Sequence, residues 1–140
     1  MFDTLQKYKN TNHFFITEKS NFSTVCNAPI DKAGVYIIYA LEKGKIELVY
    51  IGRSGQLKND GSLFIRKGGI KDRLVNGKRD GKLRRTFWRE EMLRENIEAL
   101  DIYWYVTHDD RYIDCPLKLE DDLLERFRDI YGHKPRWNRT

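Results

Sequence analysis

Long apolar runs are what this chain most lacks. No stretch of its 140 residues approaches the roughly 18 consecutive apolar positions that a membrane-spanning helix requires, and charged residues make up 34% of it, so membrane insertion is excluded. Cysteine is nearly absent: Cys26 and Cys115 stand alone, at a spacing that matches no metal framework. With no apolar signal segment after Met1, both are expected to be reduced thiols in a cytoplasmic protein. Histidine is as sparse, and His13, His108 and His133 are too scattered to be placed in a site. Internal repeats and low-complexity segments are missing as well. A chain of this length buries one hydrophobic core without staples, which implies one domain.

What is present is positive charge, unevenly spread. The net charge of +5 suits a polyanionic partner but decides little alone. Its distribution says more: Arg66, Lys67, Lys71, Arg73, Lys78, Arg79, Lys82, Arg84, Arg85 and Arg89 fall in one stretch where Asp72 and Asp80 are the only acids. A solvated basic face is the plain account of such a stretch, and phosphate binding overtakes it only if other residues point to phosphate chemistry.

The first thirty residues show no clean period, although Phe14-Phe15-Ile16 suits a short strand or a docking segment; residues 1–33 read as an N-terminal extension packed on a core domain of residues 34–140. From Gly34 to Leu41, and again from Ile46 to Ile51, nearly every residue is β-branched, aromatic or aliphatic, which predicts two strands. The connector Glu42-Lys43-Gly44 suits a three-residue hairpin loop. That loop sets Leu41 against Lys45 and Tyr36 opposite Tyr50, with both phenols on one face, whereas a two-residue loop puts them on opposite faces.

Beyond Gly52 a polar, turn-rich excursion runs from Ser54 to Gly69, interrupted by Ser62-Leu63-Phe64-Ile65 as a minor strand or inserted hairpin. A short helix is expected over Ile70 to Asn76. A longer one is expected over Thr86 to Ala99, N-capped by Thr86, with Phe87, Met92, Leu93, Ile97 and Leu100 as its apolar stripe. Asp101 to Val106 reads as a third strand, and Pro116 opens a last helix over Leu117 to Tyr131. Leu117, Leu123, Leu124, Phe127 and Tyr131 form that helix's stripe, with Glu120 lying among them while Asp121, Asp122 and Glu125 point elsewhere. The expected fold is α+β, a small three-stranded antiparallel sheet flanked by helices.

Gly34-Val35-Tyr36 followed by Tyr50-Ile51-Gly52 resembles the paired signature of the GIY-YIG nucleases, with valine in place of isoleucine in the first triplet. Members of that family carry an arginine on the first helix, a glutamate on a later one and an asparagine near the domain's end. This chain offers Arg73, Glu120 and Asn138 in that order. Glu120-Asp121-Asp122-Leu123-Leu124 and Lys134-Pro135-Arg136-Trp137-Asn138 match the local context of the last two, and the resemblance spans roughly Gly34 to Asn138. It implies a GIY-YIG-like fold and a divalent-metal-dependent endonuclease that cuts DNA by water attack, leaving a 5′-phosphate and a 3′-hydroxyl. RNA is left open as a substrate.

Chemistry asks for the same residues. Hydrolysing a phosphodiester needs an activated water, neutralisation of the phosphate and stabilisation of the leaving oxygen. Glu120, on the apolar side of a helix, is an affordable charge only if a cation compensates it. One Mg2+ or Mn2+ does so, as a hard cation that takes one or two carboxylates and completes its shell with water and phosphate oxygens; a boundary glutamate paired with Arg73 or Lys118 is the ordinary alternative. Tyr36 and Tyr50 offer a phenol as general base if neighbouring positive charge lowers its pKa, and Arg53 beside Tyr50 favours Tyr50 slightly. Arg73 reaches a phosphate from its helix, with Arg66 as the competing assignment. Substrate grip is expected from Arg53, Arg66, Lys71, Arg84 and Arg85, with aromatic help from Phe64, Phe87 and Trp88, although Trp88 serves a core equally well. Gly34 and Gly52 permit close approach of backbone or substrate, and Asn138 ties the terminal segment to the scaffold. The competing function is a nucleic-acid-binding module that keeps the fold without turnover. A non-nucleic-acid interaction domain leaves the basic stretch unexplained.

Overall fold

The computed structural model describes residues 2–138. Its centre is a four-stranded antiparallel sheet in the order β1-β8-β2-β3, formed by β1 (Thr11–Ile16), β2 (Ala33–Glu42), β3 (Lys45–Ser54) and β8 (Ala99–His108). Two small ribbons lie outside it: β4 (Gln56–Leu57) with β5 (Leu63–Phe64), and β6 (Lys78–Arg79) with β7 (Lys82–Leu83). The helices are α1 (Phe22–Val25), α2 (Gly69–Asn76), α3 (Arg84–Glu95) and α4 (Pro116–Tyr131), after a 3-10 turn at Asp3–Leu5.

The class is α+β, but the sheet has four strands where the sequence predicts three. The fourth comes from the N-terminal segment. Thr11 to Ile16 pairs with β8 in register Thr11↔Tyr105 to Ile16↔Leu100, burying Phe14 and Ile16 and leaving Phe15 about half exposed. This alternation is what a strand with one solvated face requires.

β2 and β8 are central and apolar on both faces, so the sheet carries a core on each side. On one face Tyr36, Ile38, Ala40 and Tyr50 pack with Ile70, Leu74, Trp88 and Met92 of α2 and α3. On the other, Val35, Ile37 and Ile51 pack with Leu5, Leu123 and Phe127, the last two from α4. Full burial of side chains such as Ile37 and Ile38 contributes about 1.5–3 kcal/mol each. The stripe of α4 is narrower than its periodicity suggests: Leu123 and Phe127 are buried, but Leu117 and Tyr131 stay exposed. α3 begins at Arg84 rather than at a Thr86 cap. It stops at Asn96, whose left-handed φ of 57° turns the chain into β8, so Ala99 lies in a strand and Leu93 is exposed.

The β2–β3 register differs from the predicted one in a way that matters for the site. The loop holds two residues, not three: Lys43 (φ 46°) and Gly44 (φ 78°) both take positive φ, the turn that follows the right-handed twist of the strands, and Glu42 pairs with Lys45. Left alone, that turn sends Tyr36 and Tyr50 to opposite faces. A bulge corrects the phase. Tyr39 pairs with Leu48 and Ile38 with Tyr50, leaving Val49 as the extra residue, after which Tyr36 falls opposite Gly52 and both phenols share the α2–α3 face. The bulge coincides with the docking of the C-terminal run, since the Trp137 N–H donates to the Val49 carbonyl at 3.0 Å.

Candidate active site

The phenols of Tyr36 and Tyr50 stack with ring centroids 5.9 Å apart and an interplanar angle of 28°. Space for the first ring depends on Gly52, the residue across the strand: a Cβ there would stand 2.4 Å from Cζ and 2.5 Å from Oη of Tyr36. Gly34 has a different task. A Cβ on it would fall 1.8 Å from the Tyr105 carbonyl oxygen, so it admits the backbone of β8 rather than substrate.

Two guanidinium groups border the rings, and a third lies across the sheet from them. Arg84, the first residue of α3, donates from Nη1 to Tyr50 Oη at 2.5 Å. Arg73 on α2 lies next to both phenols. Burial pulls its pKa down, but Tyr36, Tyr50 and, less strongly, Glu120 outweigh that and hold it above the usual arginine value. Arg53, on β3 opposite Val35, faces the other side of the sheet and forms an ion pair with Glu120 at 3.4 Å. Neither Arg73 nor Lys118 is the carboxylate's ion-pair partner among the described residues.

Glu120 rises from α4, which packs on the sheet face opposite the rings, and its side chain is 19% exposed. Burial raises its pKa, while the charges of Arg53, Arg73 and Arg84 oppose the rise and Asp121 adds to it. Among the described residues no hydrogen bond joins Glu120 to either phenol. Arg73 and Arg84 are what they share, since the charges of both act on Tyr50 and on the carboxylate. Tyr50 does not have the lowered pKa that the sequence reading asks of a base. Burial and the Tyr36 ring push it above the ordinary phenol range, against the lowering effect of Arg84, Arg73 and Arg79, and Arg53 is not among the groups that act on it. Tyr36 Oη is buried beside the Arg73 guanidinium, with no well-formed hydrogen bond among the described residues.

The remaining residues predicted to grip substrate divide. Arg66 pairs with Asp72 at 2.7 Å, yet lines a cleft of about 140 Å³ together with Arg53 and Arg73, so the two competing arginines border the same space. Lys71 points away: its charge acts on Cys26, and its backbone N–H bonds the Pro29 carbonyl. Arg85 lines a separate cleft with Asn21, Phe22, Thr86 and Arg89. Of the aromatic residues, Trp88 is buried in the core and Phe87 packs edge-on against Trp137, which leaves Phe64, 49% exposed, beside the cleft. Two residues were not singled out by sequence reasoning. Arg79 acts on Tyr50 from the β6–β7 ribbon, and Ser54 lines the cleft at the end of β3.

Asn138 closes the exposed edge of β3. Its Oδ1 accepts from Ile51 N–H at 3.0 Å and its Nδ2 donates to the Ile51 carbonyl at 2.9 Å, so one side chain supplies both bonds that a neighbouring strand would make.

Among the described residues no group of three or more His, Cys, Asp or Glu is gathered, so Glu120 is the carboxylate that would hold a divalent ion here. One carboxylate suffices for Mg2+ when waters and phosphate oxygens fill the other positions. With Arg53, Arg73 and Arg84 outnumbering Glu120, the local charge favours an ion that arrives with a phosphate over one held alone, and in that sense the residues fit. No protein-family model matches this chain, and no curated protein or solved structure matches it either.

Proposed function

We propose that this chain is a GIY-YIG-type endonuclease that hydrolyses phosphodiester bonds in DNA with the help of one divalent ion. The observation that carries this reading is that Arg73 and Arg84 act both on the stacked phenols of one sheet face and on the half-buried carboxylate of Glu120 from the other. Guanidinium groups in excess over carboxylates make a site for an anion, and phenols beside them supply proton acceptors and donors that an anion-binding module does not need.

In this reading Arg73 and Arg53 take the charge of the non-bridging phosphate oxygens, and Glu120 holds the metal, which when bound supplies positive charge to the phosphate and the leaving oxygen. Tyr50 is the stronger candidate for general base. The guanidinium of Arg84 donating to its oxygen favours the phenolate, and a divalent ion, when bound, would add positive charge that works against the burial now holding the proton on. Tyr36, whose oxygen makes no well-formed hydrogen bond among the described residues, orients the attacking water. Steps of this kind require no movement of the sheet, because both rings are fixed by core packing.

The test is cleavage of supercoiled plasmid by purified protein with Mg2+ or Mn2+, beside Glu120→Ala. Nicking by the parent and not the variant supports the nuclease. DNA binding with no cleavage under either metal removes the enzymatic reading and leaves a binding module.

A further inference from the structure

Ser54 ends β3 at 2% exposure, and its Oγ has no hydrogen-bond partner among the described residues. That is unusual for serine, because a buried hydroxyl ordinarily finds a nearby backbone carbonyl at little cost. Its position is informative as well. Ser54 lies opposite Gly34 and two residues beyond Gly52, which puts it on the same sheet face as Tyr36 and Tyr50. The chain then turns at Gly55, whose φ is 109°, and runs into the β4–β5 ribbon, so that Ser54 is enclosed in the cleft with Arg53, Gln56, Phe64, Arg66 and Arg73.

Among the described residues no carboxylate lines that cleft. Arginine only donates hydrogen bonds, and a serine hydroxyl rotates to donate where an acceptor is offered, so the walls present donors almost throughout. Arg66 and Arg53 each have a carboxylate partner, but Arg73 has none among the described residues, which leaves positive charge available. The complement of such a cavity is a group with several acceptor oxygens and negative charge. Arg73 borders both this cleft and the phenols, so an anion placed here stands next to the rings.

We infer that the cleft is a phosphate subsite in which Ser54 Oγ donates to a phosphate oxygen beside Arg73 and Arg53, acting as a positioning residue. Assigning that phosphate to a DNA strand rests on the nuclease reading above; the anion site itself does not. The unpaired hydroxyl is a cost in the free protein that is recovered when the anion binds. This gives Ser54→Ala a signature opposite to that of a structural serine. The variant is as thermally stable as the parent or more so, and it binds phosphate less well.

The experiment is a thermal-shift titration of parent and Ser54→Ala with inorganic phosphate in EDTA, against chloride at matched ionic strength to remove general screening. The expected result is that phosphate raises the parent midpoint more than chloride does, while the variant needs about tenfold more phosphate for the same shift, the size of one charge-assisted hydrogen bond. Phosphate titrations that coincide, a variant midpoint clearly below the parent's in chloride, or no phosphate-specific shift in the parent each overturn the subsite. Plasmid cleavage by the same two proteins separates this inference from the one it builds on. Cleavage with coincident phosphate titrations keeps the nuclease and removes the Ser54 subsite. Phosphate binding through Ser54 without cleavage under either metal keeps the subsite and removes the nuclease.

Discussion

Arg84 and Tyr50 are joined by a hydrogen bond of 2.5 Å from guanidinium to phenol, across 34 residues of chain. The contact links the end of the basic ribbon to the central hairpin and opposes the burial that keeps Tyr50 protonated. Removing the cation should therefore act on chemistry more than on shape. Arg84→Gln is expected to move the Tyr50 titration further upward, and to reduce cleavage by about 10- to 100-fold, the worth of one charged hydrogen bond. The pH profile of cleavage reports the tuning, its rising limb being expected at higher pH in the variant. Profiles that coincide in parent and variant mean that the guanidinium does not tune the phenol.

Glu120 makes a prediction of the opposite kind, in which activity and stability part. Burial raises its folded pKa above the value in the unfolded chain. A group shifted that way contributes its full stability below the unfolded pKa, and loses it as pH rises through the folded pKa, because across that window the folded state binds more protons. At neutral pH the ionised carboxylate is a burden on the fold that its arginine neighbours only partly lift. Glu120→Gln should be at least as stable as the parent at pH 7, with the difference closing near pH 4, while metal-dependent cleavage drops by about 100-fold or more. Urea denaturation at the two pH values decides it. A variant clearly less stable at pH 7 would show that the Arg53 ion pair outweighs desolvation.

Some of this architecture is legible in the residues and some is not, for identifiable reasons. β2 and the Leu48–Ile51 part of β3 announce themselves because there both faces are covered and every residue, or nearly every one, is apolar. β1 is harder to read, as an edge strand that buries only Phe14 and Ile16 carries half the signal. The β6–β7 ribbon has two residues per strand, too few for any period, although its Asp80-Gly81 turn, with φ of 54° and 80°, is a favoured hairpin dipeptide. Nothing local marks Val49 as a bulge, since it arises where Trp137 docks from 88 residues away. In the site, composition reveals that positive charge is present but not where it points. Arg84 and Arg85 are neighbours on a helix, about 100° apart around its axis, so one reaches Tyr50 while the other faces a different cleft. Ser54 leaves no trace in sequence, because what distinguishes it is a missing partner.

Gly52 is the position where a single methyl group should matter most. Its added Cβ lies 2.4–2.5 Å from the Tyr36 ring atoms Cζ and Oη, and that ring is wholly buried with no room to retreat. Gly52→Ala is expected to destabilise by about 1–3 kcal/mol through overpacking, and to abolish most cleavage by displacing Tyr36. Because the clash involves one ring, the cost should largely vanish on a Tyr36→Ala background. A double-mutant cycle by chemical denaturation measures this, and purely additive effects contradict it.

Asn138 provides the last test, because it separates an edge tie from a catalytic group. Its side chain satisfies both the N–H and the carbonyl of Ile51, the residue next to Tyr50, on the open edge of the sheet. Asn138→Ala leaves those two groups to water or to nothing, at about 1–3 kcal/mol for each that stays dry. The Trp137–Val49 contact beside it should loosen as well, since both bonds hold the same segment to the same strand. Asn138→Asp keeps the acceptor for Ile51 N–H but faces the carbonyl oxygen with a carboxylate, so it should recover none of the loss. Cleavage in both variants should fall in step with the folded fraction, and return when the protein is assayed well below its melting temperature. If instead activity stays low while the fold is intact, Asn138 acts on the chemistry itself rather than through the strand it secures.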